Sequence, residues 1–340
     1  DAEERIREVA GVPQKGEKMD TYREFRFKPA PWLPHSELPL EEFSRIRSIR
    51  REDMEYTNEN GFSVKVVLDP TLHMVQDMFY RILKSDQEDK PFSMICPNQW
   101  AAAYSSVANM LNKFGISARN VHAFAMDEWA DEDGNVAPLT YGAGLGHSFV
   151  NHFYARIRED LRPPADHWHT LNNDNKGTDV YSDLIDEITG GGVDVVYTAT
   201  GWPGHTAFID PRTKEFAADS LEVFCELGSR IVTQTPLTIC ENSLFKPTGA
   251  SGDVWAIPYK AATIGPRDIC HAKERVELHS FVNPDGSSWQ RMISRLELYG
   301  PISKECPASI LRLGKGTCYV SEAIAKPFGS WHYGIKDQEM

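Results

Sequence analysis

From residue 63 the chain alternates short apolar runs with longer stretches whose apolar residues recur at helical spacing, the pattern of an α/β domain built on a largely parallel sheet. The runs predicted as strands are VKVVLD (64–69), FSMIC (92–96), VHAFAM (121–126), VDVVYTAT (193–200), WAIPYKAATI (255–264), VELHSFV (276–282) and TCYVS (317–321). The clearest helix is predicted over 98–114, where Asn98 can cap the free amides and Ala101, Tyr104, Val107, Ala108 and Leu111 share a face before Gly115 ends it. Residues 1–62 differ: their charges are mixed, the segment KPAPWLPHSELP is rich in Pro, and clean apolar periods are few. We expect an N-terminal extension over 1–62 and one domain over 63–340, α/β with a Rossmann-like, mostly parallel sheet and helices on both faces.

Composition narrows the partners. The 340 residues are 41% hydrophobic and 25% charged, enough to bury a substantial core. Forty-nine acidic against 36 basic residues leave a net charge of -13, with no Lys/Arg block, so nucleic acid is not an expected partner. No apolar run approaches the ~20 residues of a membrane-spanning helix, and the start DAEERIREVAG lacks the apolar core of a signal peptide. Six scattered cysteines without CxxC pairs fit a reducing compartment. The expectation is a soluble, cytoplasmic protein without a membrane partner. His147 and His152, and His167 and His169, match no dependable metal pattern, and neither a metal nor a cofactor is expected.

In such a sheet, ligands gather beyond the carboxyl ends of the strands. Four segments stand there: Cys96 to Trp100, Asp127 to Trp129, Gly201 to His205, and Asn283 to Trp289. In TATGWPGHTAFIDP a strand runs into a Gly-rich turn, presents His205 and follows it with Asp210. Imidazole moves protons near neutral pH, and a carboxylate can fix its tautomer. In AFAMDEWADEDGN, Asp127 and Glu128 follow an apolar strand, so one carboxylate faces the crevice while the other turns toward neighbouring backbone. Trp100, Trp129, Trp202 and Trp289, half of the eight Trp residues, occupy these four segments and offer faces on which a sugar ring can stack.

Taken together, these motifs resemble the glucosamine-6-phosphate deaminase/isomerase family, relatives of the 6-phosphogluconolactonases, over about residues 63–322. MDEW with the later GHSFVNHFY, then HTLNNDN, GHTAFIDP and AATIGPRDICHAKE, occur in the family's order and spacing. The resemblance implies an aldose-ketose isomerase or amino-sugar deaminase working through an enediol, on a small-molecule sugar, in a homo-oligomer. It makes Asp127 the C1/C2 proton shuttle, His205 the ring-opening acid/base, and Asp210 its orienting carboxylate, one methylene shorter than the family's Glu. Asn98, Trp100, Glu128, Trp129, His147, Trp202, Gly204, Trp289 and Arg291 are then expected around the substrate. The departures matter equally. Pro203 stands where the family has a catalytic Asp, the Gly-Gly-Thr phosphate turn is replaced by Asn98-Gln99-Trp100-Ala101, and Leu244 follows Asn242-Ser243 in place of an Arg. A sugar lacking the usual 6-phosphate is therefore expected, with a sugar lactonase or a non-catalytic sugar-binding protein as the alternatives.

Overall fold

The computed structural model describes residues 30–97, 100–283 and 286–327, and the backbone of 331–332 and 335–336. The chain forms two compact units, the first ending at Glu37 and the second starting at Leu38. In the first, the Ser36 hydroxyl donates to the Pro31 carbonyl at 3.2 Å. In the second, residues 38–62, read from the sequence as extension, include helix α1 (Leu40–Arg47) and strand β1 (Tyr56–Thr57).

The strands that follow are β2 (Phe62–Val67), β3 (Phe92–Cys96), β4 (Val121–Ala125), β5 (Asp127–Ala130), β6 (Trp168–His169), β7 (Val195–Thr198), β8 (Arg230–Thr233), β9 (Lys260–Thr263), β10 (Glu274–His279) and β11 (Gly316–Ser321). Seven of them join β1 in the main sheet, in the order β1-β2-β11-β10-β7-β3-β4-β6. Every pairing in it is parallel except that of β1 with β2. Buried on both faces, its central strands need the continuous apolar runs that made them legible.

The helices of the second unit after α1 are α2 (Pro70–Glu88), α3 (Ala101–Phe114), α4 (Leu145–His152), α5 (Val180–Thr189), α6 (Leu221–Cys225), α7 (Pro236–Asn242), α8 (Pro266–His271), α9 (Gln290–Tyr299) and α10 (Glu322–Ala325). The Asp69 carboxylate caps α2 by accepting from the Thr71 amide at 2.9 Å, and Pro70 occupies the first turn, where no donor is needed. Gly115 closes α3 at φ 67 as the sequence suggested; Trp100 is the residue before its first turn, and Asn98 lies outside the described residues. Two apolar layers cover the sheet. Met74, Met78, Tyr104 and Leu111 of α2 and α3 pack with Val195 and Tyr197, whereas Tyr181, Ile185 and Ile269 of α5 and α8 pack with Val196 and Val320 on the other face. Among the described residues, no helix is long and apolar enough to cross a membrane.

Two expectations need correction. Residues 255–264 are not one strand of the parallel sheet: Val254–Ala256 forms a turn of 3-10 helix, and only Lys260–Thr263 is extended. That strand, β9, lies between β5 and β8 in a separate antiparallel sheet. Asp127–Ala130, read as a loop after β4, is thus itself a strand. Three of the main strands, β10, β7 and β3, are neighbours. Their carboxyl ends deliver the segments starting at residues 280, 199 and 97 to one edge of the sheet, where the cleft opens.

Candidate active site

A cleft of about 550 Å3 lies at this edge. Trp100 and the first turn of α3 form one side, Ala199, Thr200 and Gly201 the floor, and Phe245, Lys246, Phe281, Trp289 and Gln290 the remaining walls. His205 and Glu241 face into it.

The turn after β7 is built to bring His205 back over the strand. Thr200 and Thr206 pair across it in an antiparallel bridge, and the Gly204 amide donates to the Gly201 carbonyl at 2.9 Å. Gly204 has φ 88, a conformation that glycine adopts at low cost. At Gly201 the constraint is space: a Cβ there would stand 2.0 Å from His205 Nε2 and 2.7 Å from Glu241 Oε2.

Asp210 does reach His205 despite its short side chain. The intervening Ala207 takes a left-handed φ of 51, which tightens the turn, and His205 Nδ1 donates to Asp210 Oδ1 at 2.6 Å. Asp210 is itself fixed by the Thr235 amide at 2.6 Å and by the Thr238 hydroxyl, 2.7 and 2.8 Å from its two oxygens. With Nδ1 committed to Asp210, Nε2 is left for chemistry in the cleft.

Opposite Nε2 stands Glu241 of α7, its Oε2 3.7 Å away and held by the Trp202 amide at 2.7 Å. Burial pushes the Glu241 carboxyl up to about 7, against the pull of His205. Burial opposes protonation of His205, but Glu241, Asp210 and Asp127 together outweigh it and raise its pKa. His205 and Glu241 thus form a buried acid–base pair, both with pKa values raised in the folded chain. Glu241 was missed by sequence reasoning. The available signal was that it is the only charged residue between Arg230 and Lys246.

Asp127, at the head of β5, is close enough for its charge to favour protonated His205, although it is not among the residues lining the cleft. Its neighbour Glu128 points the other way, as alternation along a strand requires. Fully buried, the Glu128 carboxylate accepts from the amides of Trp129 (2.8 Å), Leu145 (2.9 Å) and Gly146 (2.6 Å). It caps the start of α4 and takes no part in the cleft.

Trp129 is likewise a correction: it is 1% exposed, packs on Phe208 with ring centroids 5.2 Å apart, and donates its indole N–H to the Ala143 carbonyl. The antiparallel pairing of β5 with β9 turns it into the core. His147 is also elsewhere, with Nδ1 2.9 Å from the Leu139 carbonyl. Arg291 donates to the carbonyls of Ala323 and Gly286, which ties α9 to its surroundings, and it is not among the residues lining the cleft.

The other three indoles do assemble. Trp100 and Trp289 line the cleft, and Trp289 stacks on Phe281 at 4.9 Å. Trp202 extends the stack outward, its rings 6.2 Å from those of Trp289 at an interplanar angle of 15°. Phe245 closes it edge-on to Phe281 at 5.4 Å. Among the described lining residues, Lys246 is the only Lys or Arg. The arrangement offers aromatic faces for a ring and a His–carboxylate set for moving protons.

No family model matches the chain. It is 25% identical, over 232 residues covering 65% of its length and 76% of the relative's, to a glucosamine-6-phosphate deaminase of Corynebacterium kroppenstedtii. The same identity holds over 233 residues with a glucosamine-6-phosphate deaminase of Corynebacterium aurimucosum, covering 66% of this chain and 78% of that one. Among solved structures, it is similar to a monomeric glucosamine-6-phosphate deaminase, with a TM-score of 0.58 at 19% identity over 77% of this chain and 98% of the other. It is also similar to the 6-phosphogluconolactonase of Trypanosoma brucei, with a TM-score of 0.52 at 15% identity over 77% and 97% of the two chains.

Proposed function

We propose that the chain is a member of the glucosamine-6-phosphate deaminase/isomerase family, to which the 6-phosphogluconolactonases are related, and that it is an enzyme moving a proton between C1 and C2 of a sugar, a reading supported by its similarity to the two deaminases. The observation that carries the reading is the His205–Asp210 pair, closed at 2.6 Å with its free nitrogen in an aromatic-walled cleft. His205 opens the ring by passing a proton between the ring oxygen and the C1 hydroxyl. Asp127 takes the C2 proton, an enediol forms, and the same carboxyl returns the proton to C1. Where C2 carries an amine, the intermediate is an enolamine; protonation at C1 leaves a C2 imine, and water adds to C2 and releases ammonia to give the ketose. Glu241 supplies, from a different element, the negative charge that Pro203 removes from the turn.

The substrate is a sugar held by its ring faces and not clamped through a 6-phosphate. Arg291 is spent on carbonyls, Leu244 offers no charge, and Lys246 is the single cation among the described lining residues. Withdrawing a phosphate dianion from water with so few partners costs several kcal/mol. The test is a thermal-shift panel of free, aminated, acidic and 6-phosphorylated sugars, followed by assays of ketose and ammonia release. Stabilisation by unphosphorylated sugars is expected; stabilisation by 6-phosphates alone would refute this substrate class.

A second reading rests on Pro203. A His–Asp pair without the additional Asp is sufficient to activate water, so hydrolysis of a sugar lactone fits the same atoms. Asp127→Asn separates the two. Isomerase chemistry predicts a loss of turnover of about 100-fold or more with sugar binding retained, measured by steady-state kinetics and thermal shift. Undiminished turnover of a lactone by this variant would move the assignment to hydrolysis.

A further inference from the structure

Leu278 of β10 lines the cleft, but its neighbours Glu277 and His279 point to the opposite face of the sheet, toward α9. The strand register sets Glu277 beside Cys318 of β11 and beside Thr198 of β7. Glu297 of α9 completes the group. All four side chains, Glu277, His279, Glu297 and Cys318, are 0% exposed. His279 Nε2 lies 3.5 Å from Glu277 Oε1 and 3.3 Å from Glu297 Oε2. One donor atom from each of Glu277, His279 and Cys318 falls within 4.8 Å of the other two.

What sets this group apart is that its buried polar atoms lie against one another in ion-pair contact without a well-formed hydrogen bond. All four carboxylate oxygens and both ring nitrogens of His279 are buried without a hydrogen bond, as is the Thr198 hydroxyl beside them. Native interiors seldom leave such groups unpaired, and an orphaned buried acid calls for a proton, a water or an ion. Among the described residues, the one base in ion-pair contact with the two carboxylates is a single imidazole. A divalent cation would neutralise both at once.

The separations of 3.3 and 3.5 Å around His279 Nε2 suit such an ion, and the Cys318 donor lies within 4.8 Å of those of Glu277 and His279. Tetrahedral zinc, with bonds of about 2.0–2.3 Å, holds its donor atoms roughly 3.3–3.8 Å apart. The mixed oxygen, nitrogen and sulfur set favours zinc or cobalt over the hard cations calcium and magnesium, which prefer oxygen alone. We infer that Glu277, His279, Glu297 and Cys318 form a buried structural zinc site that staples β10, β11 and α9. The sequence conceals it because two ligands share one strand and the others lie on separate elements, with none of the usual paired-cysteine spacing.

The staple would bear on the cleft. The Gln290 side chain at the start of α9 donates to the Thr200 carbonyl at 3.0 Å, and Trp289 immediately precedes that helix. Fixing α9 to the sheet therefore fixes the aromatic wall, while the ion itself stands apart from the reacting atoms.

The test uses the full chain produced in medium supplemented with zinc or with cobalt, its metal content measured by mass spectrometry. About one zinc per chain is expected, falling below about one tenth in His279→Gln. The cobalt form is expected to show a thiolate-to-metal charge-transfer band that Cys318→Ser abolishes. Stripping the metal with a chelator should lower the melting temperature by several degrees, as loss of a native-state ligand requires. Should His279→Gln misfold, the wild-type stoichiometry and the cobalt–sulfur band decide alone. A folded wild-type chain without stoichiometric metal, or metal content unchanged in folded ligand variants, would overturn the site.

Discussion

His205→Asn is expected to lower turnover by about 100- to 10,000-fold, the range for removing a positioned general acid/base. Asn is informative because its side-chain amide can still donate to Asp210 in place of Nδ1, while nothing replaces Nε2. Asp210 therefore stays paired, and the buried network around Thr235 and Thr238 survives. The aromatic stack of Trp289 and Phe281 is untouched. Sugar-induced thermal shifts should match wild type while kcat collapses, and an unchanged kcat in the variant would remove His205 from the chemistry.

Glu241→Gln is expected to change stability with a definite sign. Folding raises the Glu241 carboxyl from 4.5 to about 7, so between those values the folded chain holds a proton that the unfolded chain has released. Stability therefore falls as pH rises through this window and levels off above it. At 1.36 kcal/mol per pKa unit, the loss is on the order of 3 kcal/mol. His205, raised on folding, adds in the same direction: its contribution is full below its unfolded value and is lost as pH passes the folded one. Gln keeps an oxygen for the Trp202 amide but carries no charge. Denaturant unfolding should show the variant more stable than wild type at pH 8 and close to it at pH 5. Greater loss of stability at pH 8 than at pH 5 would contradict the burial of an ionising carboxyl there. Turnover in the same variant should fall and lose its inflection near pH 7.

The sequence disclosed most where a single physical constraint dominated. FSMIC reads as a central strand because all five residues are buried, and α3 reads as a helix because its apolar face and Gly115 leave little choice. His205 was visible because the glycines around it serve a close return of the chain, which Gly201 illustrates. What escaped notice depended on distant partners. Trp129 and Glu128 look like loop residues after β4, and only the pairing of β5 with β9, contributed from more than a hundred residues away, turns one into the core and the other onto the amides of α4. Glu241 sits in a seven-residue helix with little periodicity of its own, so its aim at His205 follows from where α7 packs. Arg291 was expected around the substrate from the family resemblance, whereas its guanidinium satisfies carbonyls of the chain itself.

Nuclear magnetic resonance of a cleft-binding sugar incubated with the enzyme in deuterated water is the decisive experiment. Deuterium should enter at C1 or C2 with wild type, and both His205→Asn and Asp127→Asn should suppress it. If sugars that stabilise the wild-type chain emerge with no deuterium at either carbon, the cleft does not carry out enediol proton transfer.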